Sequence, residues 1–298
     1  MSLPDTMSGV RLTGHGGPEK LVWSDTIPVP RPGPGEVLIR VRAAGVNNTD
    51  INTRIGWYAK EITGATADAI EGDIEAGGWS GALDFPRIQG ADLCGTVATL
   101  GEGVDGPAIG SRVTAQAVQD WSTPDDPRAM KTLGSEMDGA FAEYCVVSAH
   151  QVFDVTASPL SDTEIAAMPC AFGTAWGMLD RAGVGPGDSV FVTGASGGVG
   201  LAAVMLARHL GATVIAQTSP AKADAVRNAG AATILDRGQI PEEGTVTTVI
   251  DLVGGPDWGR LLDALRPGGR LAVAGAIAGP IVQADLRTIY LKDLALHG

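Results

Sequence analysis

Cysteine is scarce in this chain, with three residues in 298, at scattered positions. Three thiols cannot build a disulfide framework or a four-cysteine metal loop, and their scarcity suits a reducing, cytoplasmic setting. Positive charge is also short: 21 Lys and Arg against 34 Asp and Glu leave a formal charge of -13, which argues against nucleic acid or an anionic membrane as main partner. No run approaches the ~20 apolar residues of a membrane span. The first residues lack a basic stretch followed by an apolar one, so no signal peptide is expected. Charged residues are only 18% against 44% hydrophobic, which excludes a disordered chain and leaves ample material for buried cores. At this length two domains are the natural expectation.

What the chain does have is glycine, and its placement carries information. Residues 189–200 read SVFVTGASGGVG. A Val/Phe run meets Gly194, then Gly197, Gly198 and Gly200, and an apolar helical pattern follows at Leu201, Val204, Met205 and Leu206. Strand, glycine turn and helix start in this order suit phosphate: glycines admit close backbone approach, and the N–H groups of a helix N-terminus attract negative charge.

Around this stretch the chain divides in character near residue 154. Before it, short strands with Gly and Pro turns predict a compact, mostly β domain over 1–153. Glu36–Ala43 (EVLIRVRA) alternates as a half-buried strand, Gly45–Asp50 (GVNNTD) reads as a turn, and 119–138 as a polar loop. Residues 59–85, rich in Ala, Gly, Asp and Glu, read as a surface insertion with one short helix near Ala67–Ile74. After residue 154, a helical stretch starts at Ser161 or Asp162 and is expected to break at Pro169 and Gly173. From Ser189, six strands alternate with helices: a parallel, doubly wound Rossmann sheet over 154–298.

With the landmarks in order, the chain resembles the medium-chain dehydrogenase/reductase superfamily, and within it the zinc-free quinone oxidoreductase-like branch. PRPGPGEVLIRVRAAGVNNTD, QGADLCGTV, LGEGVDGPAIGSRV, DGAFAEYCVV, TGASGGVG and LRPGGRLAVAGA carry the resemblance along nearly the whole length. It implies an α/β protein: a GroES-like β domain plus a Rossmann domain, with substrate reduced in the cleft between them. It also implies a segment after the sixth Rossmann strand that returns to the first domain, which is missing from a chain that stops at Gly298.

The resemblance locates the zinc-ligand positions of metal-dependent relatives. Asn47 stands where they carry a Cys, Ala91 and Asp92 where they carry a His–Glu pair, and Cys170 at the third position. One thiol among them makes no site, so no metal is expected; Cys170 reads as a pocket-lining thiol and the four His residues as packing or surface groups. The nucleotide is expected to be NADPH. After the second Rossmann strand, TVIAQTSPAK offers Thr218, Ser219 and Lys222 where an acid would select NAD, and Arg237 follows the third strand. Gly194, Ser196, Gly197, Gly198 and Val199 form the expected phosphate turn. Thr174, Gly254, Ala274, Gly275 and Ala276 are expected around the nicotinamide.

Without zinc, the easier reaction delivers hydride to a quinone or an α,β-unsaturated carbonyl, with charge developing on a carbonyl oxygen. The resemblance offers Asn47 as amide donor, Thr49 at a proton-relay position and Tyr58 in a Gly-x-Tyr match. Asp50 reads as a turn-stabilising acceptor, and Asp251 as a strand-end cap. Two other readings stay open: an NADP-binding protein with a structural or redox-sensing role, and an alcohol dehydrogenase-like enzyme. A homodimer through the sixth strand is the expected assembly.

Overall fold

The computed structural model describes residues 3–67, 77–78 and 81–298. Most of the helix expected near 67–74 falls on residues 68–76, outside the described residues. The chain forms two compact units: Met1–Ile62 with Ile70–Cys170, and Thr63–Ala69 with Ala171–Gly298.

The first unit is antiparallel. It contains β1 (Thr6–Leu12), β2 (Leu21–Pro28), β3 (Glu36–Gly45), α1 (Asn48–Ile55), β4 (Arg87–Ile88) and β5 (Asp92–Leu100). Then come β6 (Arg112–Ala115), β7 (Val118–Asp120), β8 (Met130–Thr132), β9 (Tyr144–Ser148), β10 (Val152–Asp154) and α2 (Asp162–Ala166). The main sheet runs β10-β6-β5-β3-β9, and a smaller one β2-β1-β4. β3 is buried on both faces at its start: Val37 and Ile39 enter one core with Leu93, Val113 and Val147, while Leu38 enters another with Met7, Ile27 and Ile88. The alternation seen in its sequence is therefore only its second half, where Arg40 and Arg42 reach solvent.

Three local expectations are corrected. The turn over 45–50 is a helix start: Asn47 is the N-cap of α1. The loop over 119–138 contains the β7–β8 hairpin, held by the buried Gln119, whose Oε1 accepts from Ser148 N at 2.9 Å. The first helix after residue 154, α2, packs on β3 and β5, so the contacts keep it with the first unit. Its N-terminus closes a capping box between Ser161 and Glu164.

The helix α3 (Pro169–Arg181) begins with the last two residues of the first unit, belongs to the second from Ala171 on, and runs through Gly173 unbroken. The second unit's other elements are β11 (Ser189–Val192), α4 (Gly198–His209), β12 (Thr213–Gln217), α5 (Ala223–Ala229), β13 (Thr233–Leu235) and β14 (Val246–Asp251). They are completed by α6 (Trp258–Ala264), β15 (Leu265–Val273), α7 (Leu286–Leu291), which the sequence reading omitted, and β16 (Ala295–His297). Six parallel strands lie in the order β13-β12-β11-β14-β15-β16. Alternate residues of β11 serve opposite cores. Val190 and Val192 pack with Ala203, Val204 and Leu179; Phe191 packs with Trp258, Leu262 and Leu271. The order reverses between β11 and β14, which opens a crevice at the carboxyl ends of those strands. Among the described residues no helix is long and apolar enough to cross a membrane.

Candidate active site

The crevice of the second unit is a cleft of about 490 Å³. Its floor is the turn from β11 into α4. Gly194 has φ +57°, a left-handed conformation that glycine adopts without strain, and its carbonyl accepts from Gly197 N at 3.1 Å. Gly200 packs so closely that a side-chain carbon there would collide with the Gly194 carbonyl. At Gly197 and Gly198, by contrast, an added carbon meets nothing nearer than 3.6 Å, so the entry to α4 stays open. The first-turn N–H groups of Gly198, Val199 and Gly200 have no intrahelical acceptor and suit a pyrophosphate.

Of the residues expected to bind nucleotide, Gly194, Ser196, Gly197, Thr218, Lys222, Arg237 and Gly254 line this cleft. Thr218 is 3% exposed, and its Oγ1 is buried with no hydrogen-bond partner among the described residues. A buried hydroxyl left unpaired is costly, and a polar ligand in the cleft would complete it. Arg227 and Arg260 are committed to Asp224 and Asp257; Lys222 and Arg237 hold no such pair among the described residues. Gln217 ends β12 with a carboxamide that donates to Gln239 O at 2.7 Å, where NAD-selective folds keep an acid. The donor set thus fits a dinucleotide.

The remaining expected residues are not part of the cleft's lining. Gly198 and Val199 open α4, Ser219 precedes the short turn Pro220–Lys222, and Thr174 lies half-buried on α3. Ala274, Gly275 and Ala276 follow β15, and Ala274 N donates to Asp251 O at 3.1 Å. The next two residues, Ile277 and Ala278, are the ones that line the cleft. Sequence reasoning also missed Trp258 there, because an aromatic at a helix start reads simply as core. Asp251 is wholly buried and accepts from Thr193 Oγ1 at 2.6 Å, Val253 N at 3.1 Å and Gly254 N at 3.1 Å. It stiffens the loop beyond β14.

In the first unit, the polar groups gather at the start of α1. Asn47 N donates to Asp50 Oδ2 at 2.7 Å, and Asp50 Oδ1 accepts from Gly90 N at 3.2 Å. The Asn47 side chain is also engaged: its Nδ2 donates to Asp92 Oδ2 at 3.0 Å. Asp92 Oδ1 accepts from Cys170 N at 2.8 Å. Tyr58 donates to Thr49 Oγ1 at 3.1 Å, which joins the two expected proton-handling hydroxyls. His15 accepts the packing reading: its ring lies edge-on to Phe85 with centroids 5.0 Å apart, beside the carbonyls of Thr53 and Arg54.

Two carboxyls are buried here, Asp50 at 6% and Asp92 at 1% exposure. Burial raises the Asp92 pKa to about 6; the Asn47 amide and the Cys170 N–H pull it back, and the Asp50 charge adds to the rise. Burial also raises Asp50, against the N–H groups of Asn47, Gly90 and Ala91. Among the described residues no three His, Cys, Asp or Glu side chains converge as metal ligands. Asn47 and Ala91 supply neither thiolate nor imidazole, so these residues do not fit a catalytic zinc.

The comparisons agree with this geometry. Residues 33–157 match the family model described as alcohol dehydrogenase GroES-like domain, and residues 198–298 the one described as zinc-binding dehydrogenase. A crystal structure of a putative alcohol dehydrogenase from Sinorhizobium meliloti 1021 is 44% identical, with a TM-score of 0.85 over 99% of this chain and 82% of that one. An acryloyl-coenzyme A reductase from Sulfurisphaera tokodaii is 29% identical over 95% of this chain and 82% of its own. A quinone oxidoreductase from Lama guanicoe is 27% identical over 98% and 79% respectively. The fold and site define a dinucleotide-dependent oxidoreductase. The chain belongs to the medium-chain dehydrogenase/reductase superfamily.

Proposed function

We propose that this oxidoreductase uses NADPH, without zinc, to reduce a quinone or an α,β-unsaturated carbonyl compound. The observation that carries the reading is Asn47: an amide, held by Asp92, occupies the position at which metal-dependent relatives carry a ligand. The relatives lend support, since an acryloyl group is itself an α,β-unsaturated acyl group. When bound, the reduced nicotinamide supplies a hydride.

The chain's own groups do the rest. The open start of α4 holds the pyrophosphate. Lys222 and Arg237 offer two cations, and Thr218 one unpaired hydroxyl, to the phosphate that distinguishes NADPH from NADH. Asn47 keeps one side-chain N–H beyond the one given to Asp92, and donates it to the carbonyl oxygen on which charge develops. Thr49 gives a proton, and Tyr58 replaces it through their shared hydrogen bond. The acceptor gains a hydride and a proton, two electrons in all.

The deciding experiment is turnover with NADPH and NADH side by side against 1,4-benzoquinone and methyl vinyl ketone, with metal content measured on the same sample. Oxidation of NADPH by metal-free protein is expected; activity that tracks stoichiometric zinc favours the alcohol dehydrogenase-like reading instead. We also propose a homodimer through β16, the outer strand of the parallel sheet.

A further inference from the structure

Asp92 opens β5 directly opposite Gly45, the last residue of β3, and the chain leaves Gly45 for Asn47. The approach is close. A side-chain carbon at Gly45 would strike the Ala166 carbonyl and stand 3.0 Å from the Asp92 Cβ. Asp92 is thus held from both strands, and each of its oxygens has one N–H donor, Cys170 N at 2.8 Å and Asn47 Nδ2 at 3.0 Å.

We propose that Asp92 is a positioning residue for the reaction: its carboxylate holds the Asn47 side-chain amide in one of its two orientations and ties it to the backbone of Cys170, in the same unit. The inference rests on the reading of Asn47 as the group that meets the substrate oxygen. An ionised carboxylate only accepts hydrogen bonds, so the Nδ2 end of Asn47 must face it. The Oδ1 and the second N–H of Asn47 are then aimed in fixed directions. Without such a partner an amide turns about its last torsion at little cost, because that torsion is broad and two-fold.

The same geometry says what neutralising Asp92 does. A neutral carboxyl, or an Asn in its place, still accepts from Cys170 N with one atom, but the other becomes a donor. It is satisfied only when Asn47 turns over and presents Oδ1. Both hydrogen bonds at Asp92 survive, while the Asn47 side-chain oxygen leaves the capping box it forms with Asp50 at the start of α1, and the polarity of the amide toward the substrate reverses. Among the described residues the charged group acting on Asp92 is Asp50 on α1, and Cys170 meets it through its N–H; Arg42 on β3 and Arg112 on β6 are both committed to Asp162 of α2. Among the described residues no cation therefore replaces the Asn47 and Cys170 donors.

The test uses full-length wild type, Asp92→Asn and Asn47→Ala. With NADPH and 1,4-benzoquinone, Asp92→Asn is expected to lower kcat roughly tenfold or more. Its NADPH affinity and pH 7.5 melting temperature should be no worse than wild type. Wild-type kcat should fall as pH drops through about 6, and the variant should stay flat at its low level. Wild-type turnover with an unchanged acid limb in Asp92→Asn overturns the proposal. The second readout does not depend on activity. The Asn47 side-chain ¹⁵N–H resonances, assigned by their loss in Asn47→Ala, should titrate near pH 6 in wild type and shift in Asp92→Asn. Resonances that neither titrate nor shift overturn the positioning role. If they do titrate and shift while Asn47→Ala turns over normally, the positioning holds and the reading of Asn47 as a substrate-facing group is what fails.

Discussion

Among the described residues Asp92 has two N–H donors and no ion-pair partner, it is almost wholly buried, and that combination has a thermodynamic consequence. Its folded-state pKa of about 6 lies above the ordinary value of 3.8, so the folded chain binds this proton more tightly than the unfolded one. Its contribution to stability is complete below about pH 4 and is lost as pH rises through 6. The displacement is worth about 3 kcal/mol. Urea unfolding of wild type should therefore show stability falling between pH 4 and 6 at this site, a slope that Asp92→Asn removes. Asp50, also raised, adds in the same direction. At the other residue cluster, Lys222→Ala and Arg237→Ala should each raise KM for NADPH by about tenfold, as expected for one lost charge-assisted contact. Their KM for NADH should not move, and equal losses with both nucleotides would remove the phosphate role. The sequence made these cations legible because they follow a strand end at short range. The Asp92–Asn47 bond joins residues 45 positions apart, and no local pattern reports it.

Among the elements, the βαβ unit from β11 to β12 was legible almost residue by residue, because a buried Val/Phe run, a glycine turn and an apolar helix leave few alternatives. The close packing of Gly200 on the Gly194 carbonyl is the tightest feature of that unit. Gly200→Ala should cost about 1–3 kcal/mol by overpacking and weaken NADPH binding with it. Gly197→Ala, with open space around it, should leave the melting temperature within a few degrees of wild type. Thermal melts with and without NADPH separate the two. The elements that escaped sequence reading are short or polar. α1, with sequence NTDINTRI, has a weak apolar face and gains its start from Asn47 and Asp50. The β7–β8 hairpin has three-residue strands pinned by Gln119 and Gln151 and not by an apolar stripe. α7 exposes Leu286, Tyr290 and Leu291, so its pattern does not mark a buried face.

For the molecule as a whole, those exposed side chains bear on the proposed assembly. β16 pairs only with β15 among the described residues, and an unpaired strand edge invites a second strand. Leu296 on that strand is 42% exposed, and Tyr290 and Leu291 on the helix leading into it are 66% and 74% exposed. Burying such groups at about 25 cal/mol per Å² favours association. The formal charge of -13 on each copy opposes it. The repulsion acts over about 10 Å at 0.1 M salt and shrinks as salt rises, whereas the apolar contribution does not. The dimer should therefore tighten with added sodium chloride, the reverse of an assembly held by ion pairs across its interface. Light scattering over a concentration series at low and high salt reads both the mass and its sign of response. Leu296→Lys, which places a charge on the strand edge, should shift the protein to monomer while leaving its melting profile at high dilution unchanged. A wild-type monomer at every salt concentration would leave β16 as an edge that this chain tolerates through its own charge.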